Sequence, residues 1–416
     1  MPGGRRIVAL LLLLLPLAVL PVEAYGVLTH EEIIDLAWKE HLVGRLRKRF
    51  PRATEEDLRR ARAYAYGGCV MQDMGYYPLG SAYFSDLVHY VRSGDFVVAL
   101  LRESSDLDEY AFALGALAHY TSDNRGHPIV NRAVALGFPK LRARYGDEVT
   151  YAEAPVAHIR TEVGFDMVQI AKGRYAPDDL HDAIGFAVAT SLLERAFAST
   201  YGFALEEALG DVERAVGSYR WSVSRVIPEL TRVALYSGRV EAVADTPNEA
   251  RRKFRDYVSR ADYEKEWGTH YRRPGFLGKL LAFVLRVFPK VGPLQRMRIA
   301  MPSRETEDMY VESLNQTLES YVDHLGDVSA PDFRLANRDC DTGADARFGE
   351  YERADQTHAR LLHTLMQRRF AGMTPDRQRA LLGFFADHDA PSVLKKSAKR
   401  WRRTMREIEA LRGWKR

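Results

Sequence analysis

The chain of 416 residues lacks the features that define several common protein classes. It has only two cysteines, Cys69 and Cys340, which excludes a disulfide-built scaffold, and their spacing leaves open whether they pair. A formal net charge of +4 is too small to imply nucleic-acid binding by itself. No Gly-rich phosphate loop, no Gly-x-Ser-x-Gly elbow and no His-Glu-x-x-His zinc-protease motif occurs. The chemistry of this chain must therefore come from another arrangement of side chains.

One long apolar run is present, and it lies at the start of the chain. Arg5 and Arg6 precede the apolar stretch 7–20, and Val22-Glu23-Ala24 supplies the residues that signal peptidase requires. The run is shorter than the roughly 20 residues of a comfortable membrane span, although an uncleaved signal anchor is the alternative. We expect residues 1–24 to be a signal peptide that is cleaved before Tyr25. The mature protein would then be secreted, or periplasmic in a bacterium with two membranes.

Helical periodicity runs through almost the whole mature chain. Apolar residues make up 46% of the sequence, which is enough for a substantial core, and alternating apolar and polar residues are scarce. Thr54 followed by three acids predicts a helix start. The sequence therefore predicts an all-α fold, with helical patterns over His30–Phe50, Leu107–His119, Glu153–Ile170, Asp179–Phe197, Ala204–Tyr236, Ser303–His324, Gln356–Phe370 and Pro375–Phe385.

Two segments interrupt the helical pattern and suggest the domain organisation. Residues 246–274 are highly charged, and residues 327–347 contain Asp, Asn, Gly and Pro, as expected of a long loop. That loop contains Asp341-Thr342-Gly343, which resembles the aspartic protease triplet, but one copy does not supply the two carboxylates which that chemistry needs. We expect a metal-binding helical domain over residues 25–235 and a C-terminal helical extension over residues 236–416 packed on it.

The strongest functional signal is a dense series of histidines and acids early in the chain. Imidazole nitrogen and carboxylate oxygen are both zinc ligands. Two His-x3-acid pairs place each histidine and its partner on one helix face, although such pairs also arise by chance. The order and density of the whole set predict a multi-zinc hydrolytic centre built from His30, Asp73, His89, His119, Asp123, His127, His158 and Glu162.

This order of residues resembles the zinc-dependent phospholipase C / S1-P1 nuclease superfamily. Mature chains of that superfamily begin with Trp-Gly, and a histidine follows soon after, as Tyr25-Gly26 and His30 do here. An aspartate, a histidine, a His-x3-Asp pair, a histidine and a His-x3-Glu/Asp pair come next, and this chain fills each place. The resemblance covers roughly residues 25 to 170 and implies an all-α, multi-helix phospholipase C/P1 nuclease-like bundle.

The resemblance also implies three zinc ions per chain. The first would be held by Asp73, His89, His119 and Asp123; the second by the amino nitrogen and carbonyl oxygen of Tyr25 with His30 and Asp123; the third by His127, His158 and Glu162. Zinc lowers the pKa of bound water from 15.7 to about 7, so a hydroxide bound between the first two ions would attack the phosphorus. Asp123, as the bridging ligand, and Asp73, as a possible proton acceptor, are the expected catalytic residues.

The chain departs from the family pattern at two places. Tyr25 replaces tryptophan, which should be tolerated because the expected ligands there are backbone atoms. His127 follows Asp123 by only four positions, as in glycosylphosphatidylinositol-phospholipase D-like members. Gly126 and Pro128 flank His127 and predict a helix break that re-aims its ring.

Two apolar features admit more than one interpretation. Residues 276–288 are strongly apolar and favour a buried core helix that closes on Pro289, with a helix at a lipid interface as the alternative. The aromatics Tyr76, Tyr77, Tyr83 and Phe84 would either line a substrate cleft or pack helices. Met74 follows the candidate ligand Asp73 where the choline-specific family member has an aromatic residue, which leaves the headgroup open.

The sequence favours a secreted zinc-dependent phosphodiesterase, of phospholipase C type, that acts on a phospholipid at a membrane surface. The first alternative is an S1-P1-type nuclease or 3′-nucleotidase with nucleic acid as substrate, although that group typically carries more disulfides than two cysteines allow. The second alternative is a non-catalytic envelope protein that keeps zinc for stability.

Overall fold

The computed structural model describes residues 25–237, 240, 247–287 and 299–415. The expected signal peptide lies outside the described residues. Within them the chain folds into helices and contains no strand, and the pair Arg338–Asp345 forms an isolated antiparallel bridge. The predicted all-α fold is confirmed.

The helices are short apart from α6 and α17. In chain order they are α1 Val27–Ala37, α2 Val43–Arg49, α3 Glu55–Cys69, α4 Ala82–Tyr90, α5 Ser93–Glu103, α6 Leu107–Gly137, α7 Pro139–Tyr145, α8 Pro155–Ala171, α9 Asp178–Ile184, α10 Thr190–Tyr201, α11 Leu205–Leu209, α12 Val212–Trp221, α13 Ile227–Tyr236, α14 Glu249–Ala261, α15 Tyr263–Trp267, α16 Phe276–Val287, α17 Arg304–Asp327, α18 Glu352–Gln367, α19 Pro375–Phe384 and α20 Ala398–Arg412. π-Helical turns at Trp38–Leu42 and Ser222–Val226 connect α1 to α2 and α12 to α13, and 3₁₀ turns occupy Met71–Tyr76 and Val393–Lys396.

The 31-residue helix α6 is the centre of the fold. Helix α3 packs along it at close range, because a Cβ on Gly68 would lie 2.0 Å from the Phe112 carbonyl oxygen and a Cβ on Gly115 would lie 2.2 Å from that of Ala65. Helix α17, from the C-terminal part of the chain, packs on α6 as well, and its Tyr321 hydroxyl donates to the Leu114 carbonyl at 2.9 Å. The proposed extension is therefore in direct contact with the helix that carries three of the eight candidate side-chain ligands.

The predicted helix break around His127 is wrong. Helix α6 continues through Pro128 to Gly137, although proline cannot donate the hydrogen bond that the Asn124 carbonyl would otherwise accept. That carbonyl faces Gly343, where a Cβ would lie only 2.4 Å from the Asn124 oxygen. The Asn124 carbonyl therefore contacts the later loop at the place where the local pattern predicted a break.

Two other predicted helical patterns are interrupted at glycines with a positive φ. The pattern over 179–197 is interrupted at Gly185, with φ of +84°, and the pattern over 204–236 at Gly210, with φ of +87°. Only glycine adopts this left-handed backbone freely, so both helices end there. The predicted start at Thr54 is confirmed, because its side chain and that of Asp57 form a reciprocal capping box.

The irregular segment predicted over 327–347 is confirmed, since no helix lies between α17 and α18. Among the described helices, none combines the length and apolar character that crossing a bilayer requires.

Candidate metal centre

Five neighbouring elements bring the candidate ligands together. Helix α1 carries His30, the turn Met71–Tyr76 carries Asp73, and α4 carries His89, while α6 and α8 carry the remaining side chains. All eight predicted side-chain ligands are buried, the most accessible at 3% exposure. Burial of so many ionisable groups is costly unless they pair or bind a metal, so their arrangement needs an explanation.

Asp123 lies at the middle of this arrangement. Its Oδ1 is 3.5 Å from His30 Nε2, and its Oδ2 is 3.3 Å from His89 Nε2 and 3.0 Å from His119 Nε2. Asp73 approaches from the other side, with Oδ1 at 3.4 Å from His89 Nε2. The structure therefore gathers the predicted ligands of the first zinc and the side-chain ligands of the second around one carboxylate.

The tautomers of these three histidines are fixed by hydrogen bonds at the opposite side of each ring. His89 Nδ1 donates to the Ser85 carbonyl at 2.7 Å, and His119 Nδ1 donates to the Cys69 carbonyl at 2.9 Å. His30 Nδ1 lies 2.9 Å from the hydroxyl of Ser122, whose own proton goes to the His119 carbonyl. Because a carbonyl can only accept, Nδ1 carries the proton and each Nε2 keeps its lone pair directed at the carboxylates.

The centre therefore consists of acceptors that face one another, which suits a cation. Tetrahedral zinc with ligands at about 2.0–2.1 Å separates neighbouring ligand atoms by about 3.3 Å, and the distances above range from 3.0 to 3.5 Å. Two groups bring three such atoms within 4.8 Å of one another: His30 with His119 and Asp123, and Asp73 with His89 and His119. Both Asp123 oxygens, Asp73 Oδ1 and His30 Nε2 are buried without a hydrogen-bond partner. The residues present fit the zinc ions that the sequence implied at these two positions.

The predicted third group is only partly assembled. His158 donates from Nε2 to the Val149 carbonyl at 2.7 Å, so its Nδ1 lone pair faces Glu162 Oε1 at 3.2 Å. His127 lies beside this pair, with its ring centre 6.3 Å from that of His158. Its two ring nitrogens are buried and lack a hydrogen-bond partner. In the described part of the chain these three residues do not form a group within 4.8 Å, so His127 stands slightly apart.

Tyr25 lies against the centre from the amino-terminal side. Its side chain is 1% exposed, and its ring centre is 6.3 Å from that of His30 and 5.4 Å from that of Tyr310. The hydroxyl bonds to Ser313, and Gly126 on α6 leaves the space that the ring fills.

Without a bound cation, burial and the charges of neighbouring groups shift the pKa values of these side chains. Burial lowers the pKa of His30 well below its ordinary value, and neighbouring His119 lowers it further. Burial also acts to lower the pKa of His89, but Asp123 and Asp73 outweigh it and raise that pKa well above the ordinary value. Burial would raise the pKa of Asp123, yet His119 and His89 lower it. Metal binding must displace protons from this ion-paired set, so affinity should weaken as the pH falls.

One residue of the site was missed by sequence reasoning. Asp341 has Oδ1 3.3 Å from His127 Nδ1, and both side chains are 1% exposed. The only sequence signal at Asp341 was its resemblance to an aspartic protease triplet, which is unrelated to this contact. Its role depends on a loop that follows His127 by more than 200 residues, and no local pattern reports such a contact.

The remaining candidates are placed as follows. Tyr77, Tyr83 and Phe84 are buried at 3% exposure or less and pack helices, whereas Tyr76 also lies near the site with its ring centre 6.0 Å from that of His89. Cys69 and Cys340 are both buried free thiols.

The preferred interpretation of residues 276–288 as a buried core helix is wrong for the side chains described. Helix α16 buries Gly278 and Ala282 but exposes Phe276 at 81%, Leu277 at 72% and Phe283 at 63%. The contact with α13 is made at Gly278, which fits against Glu229 and Val233. Phe288 and Pro289 lie outside the described residues.

An all-α fold that brings buried histidine and aspartate acceptors together around a shared carboxylate is typical of a metal-binding protein. Residues 29–209, a little under half of the chain, match the family model described as zinc dependent phospholipase C. At the family level this supports a phospholipase C-type hydrolase of phosphodiester bonds that depends on zinc. No curated protein and no solved structure matches the chain significantly.

Proposed function

We propose that this protein is an exported, zinc-dependent phospholipase C that hydrolyses a phospholipid between its phosphate and glycerol. The observation that carries the proposal is the convergence of three Nε2 lone pairs on Asp123 and Asp73. When bound, zinc would supply a hydroxide near neutral pH and offset charge on the phosphoryl oxygens. In this proposal Tyr25 is the first residue of the mature chain, and its backbone completes the second position.

The protein's own residues have separate tasks in this mechanism. Asp123 would hold the two zinc positions together, because its two oxygens face different histidines. The carbonyls of Ser85 and Cys69 keep His89 and His119 in one tautomer, which leaves their Nε2 lone pairs available for a metal. Asp73 Oδ1 lies 3.4 Å from His89 Nε2, and in this proposal Asp73 also acts as a proton acceptor.

The exposed face of α16 supports a lipid rather than a nucleotide as substrate. Phe276 and Leu277 present apolar side chains to solvent, and the cationic side chains of Arg273 and Lys279 are exposed beside them. An apolar surface bordered by positive charge suits the headgroup region of a bilayer.

The test uses the zinc-loaded mature chain beginning at Tyr25 and vesicles of mixed phospholipids. We expect chelator-sensitive release of diacylglycerol, and the phosphorylated headgroup released with it identifies the preferred lipid. Asp123→Asn removes the charge of the shared ligand. Loss of a group that only orients a metal ligand already costs about 10–100-fold, so loss of the shared ligand's charge should reduce activity by at least this factor.

The matched control is Asp355→Asn, because Asp355 is also buried but bonds to Gly349 and Ser392, away from the metal centre. It should keep activity close to that of the unmodified chain. No diacylglycerol from fully metallated protein would refute the phospholipase proposal, and hydrolysis of single-stranded nucleic acid would then be tested. Recovery of exported protein that begins at a residue other than Tyr25 would refute the proposed amino-terminal ligand.

A further inference from the structure

Asp341 lies in the irregular segment between α17 and α18, outside the region that matches the family model. Its carboxylate nevertheless approaches a candidate metal ligand, with Oδ1 3.3 Å from His127 Nδ1. Both side chains are almost completely buried. This contact joins two buried polar groups that are more than 200 residues apart in the chain, so its role needs an explanation.

The hydrogen bonds of the other candidate histidines indicate what this role is. His30, His89, His119 and His158 each bond one ring nitrogen to a hydroxyl or a carbonyl. Such bonds leave the second nitrogen with its lone pair available for a metal. Neither ring nitrogen of His127 has a hydrogen-bond partner in the described part of the chain. Asp341 is the polar group that lies where this partner is needed.

We propose that Asp341 is the positioning residue of His127 in the metal centre. With a metal bound, the carboxylate would accept the Nδ1 proton of the imidazole, which would fix the tautomer and direct the Nε2 lone pair to the third metal position. A carboxylate partner also makes the imidazole a more basic ligand. The inference rests on the proposed role of His127 as a ligand and extends it to the C-terminal half of the protein.

The surroundings of Asp341 suit this role because they divide its two oxygens. Oδ2 accepts from the hydroxyl of Tyr90 at 2.9 Å and from that of Tyr351. Oδ1 and the His127 Nδ1 that faces it at 3.3 Å both lack a hydrogen-bond partner within the described residues, so Oδ1 remains available to His127. The two tyrosines also hold the carboxylate in one orientation, which a positioning residue requires.

The loop backbone is tied to the same helices that carry the ligands. Asn131 Nδ2, one turn beyond His127 on α6, donates to the Asp341 carbonyl at 3.0 Å. The Cys340 amide donates to the His89 carbonyl at 3.2 Å. These two hydrogen bonds hold the Asp341 segment against α4 and α6, beside the candidate ligands.

The experiment measures zinc binding, because the inference concerns ligand geometry. Asp341→Asn has one acceptor oxygen where the carboxylate has two, so it cannot accept from both the tyrosines and His127. We expect one class of zinc ion to bind about 10–100-fold more weakly, measured by competition with a chromophoric chelator and by metal content after dialysis. The visible spectrum of the cobalt-substituted protein should change in the same variant.

Asp355→Asn provides the control for loss of a buried carboxylate from the C-terminal half, and it should keep the full zinc content. Tyr351→Phe keeps the carboxylate and removes one bond to it, so it should weaken the same zinc class by a smaller factor. If Asp341→Asn fails to fold, Tyr351→Phe decides: unchanged zinc affinity would refute the inference. A folded Asp341→Asn protein with unchanged zinc affinity would refute it as well.

These outcomes are distinct from failure of the proposed function. A zinc-loaded protein without phospholipase activity would refute the proposed substrate, and the loss of zinc affinity in Asp341→Asn would still support the positioning role. An unmodified chain that binds no zinc would refute both.

Discussion

Replacing Gly126 with alanine should destabilise the protein, because a side chain at this position meets the ring of Tyr25. A Cβ there would lie 2.4, 2.5 and 2.7 Å from three carbon atoms of the ring. Carbon atoms pack best at about 3.5–4.0 Å, so the ring would have to move by about 1 Å. It has little freedom to move, since its hydroxyl bonds to Ser313 and its edge packs on Tyr310.

The expected magnitude follows from two opposing terms. Overpacking a buried site costs about 1–3 kcal/mol, and contact with three atoms of a fixed ring places this site at the upper end. Alanine is favoured over glycine within a helix by about 1 kcal/mol. The free energy of unfolding should therefore fall by about 2 kcal/mol, as measured by urea denaturation of the mature chain.

Gly137→Ala on the same helix is the matched control. A Cβ on Gly137 meets nothing within 4 Å, so only the helix-propensity term acts, and this variant should be neutral or more stable by up to about 1 kcal/mol. Activity should fall in Gly126→Ala alone, because a 1 Å shift near a reacting centre can cost about 10²-fold. Equal stability of the two variants would refute the placement of Tyr25 beside α6.

Two further predictions concern regions away from the metal centre. Burial lowers the pKa of His358 to about 3, so the folded protein keeps this ring neutral. Its contribution to stability is complete above the unfolded pKa of about 6.5 and is lost as the pH falls toward the folded value, by about 1.4 kcal/mol per pH unit. His358→Gln should reduce this acid sensitivity in urea titrations of metal-free protein from pH 7 to 4, whereas the exposed His270→Gln should not; the same slope in both would contradict the assignment. The double variant Phe276→Ser/Leu277→Ser should bind vesicles at least about tenfold more weakly, since each side chain contributes up to about 1.5–3 kcal/mol when buried in lipid. Its hydrolysis of a soluble short-chain substrate should be unchanged, and Met366→Ser on α18 serves as the exposed control; a parallel loss on both substrates would argue against a lipid-binding role.

Local patterns in the sequence were enough to predict the helical fold and the eight side chains of the candidate centre, but not Asp341. Three-and-four spacing reports which side of a helix is buried, and this information is local, so the all-α class followed directly. Part of the candidate ligand set could be recognised for a related reason. His119 with Asp123, and His158 with Glu162, each lie on a single helix. Thr54 likewise marked the start of α3, since a capping box involves residues only three apart.

Contacts between distant segments set the features that no local pattern records. Helix α6 continues through Pro128, and the Asn124 carbonyl, to which proline cannot donate, faces Gly343 of a distant loop. Helix α16 exposes Phe276, Leu277 and Phe283, and its Gly278 fits against Glu229 and Val233 of α13. Asp341 reaches His127 across more than 200 residues of chain. A contact between distant segments depends on how helices pack, and packing is a property of the folded chain as a whole, whereas periodicity and capping belong to each segment alone.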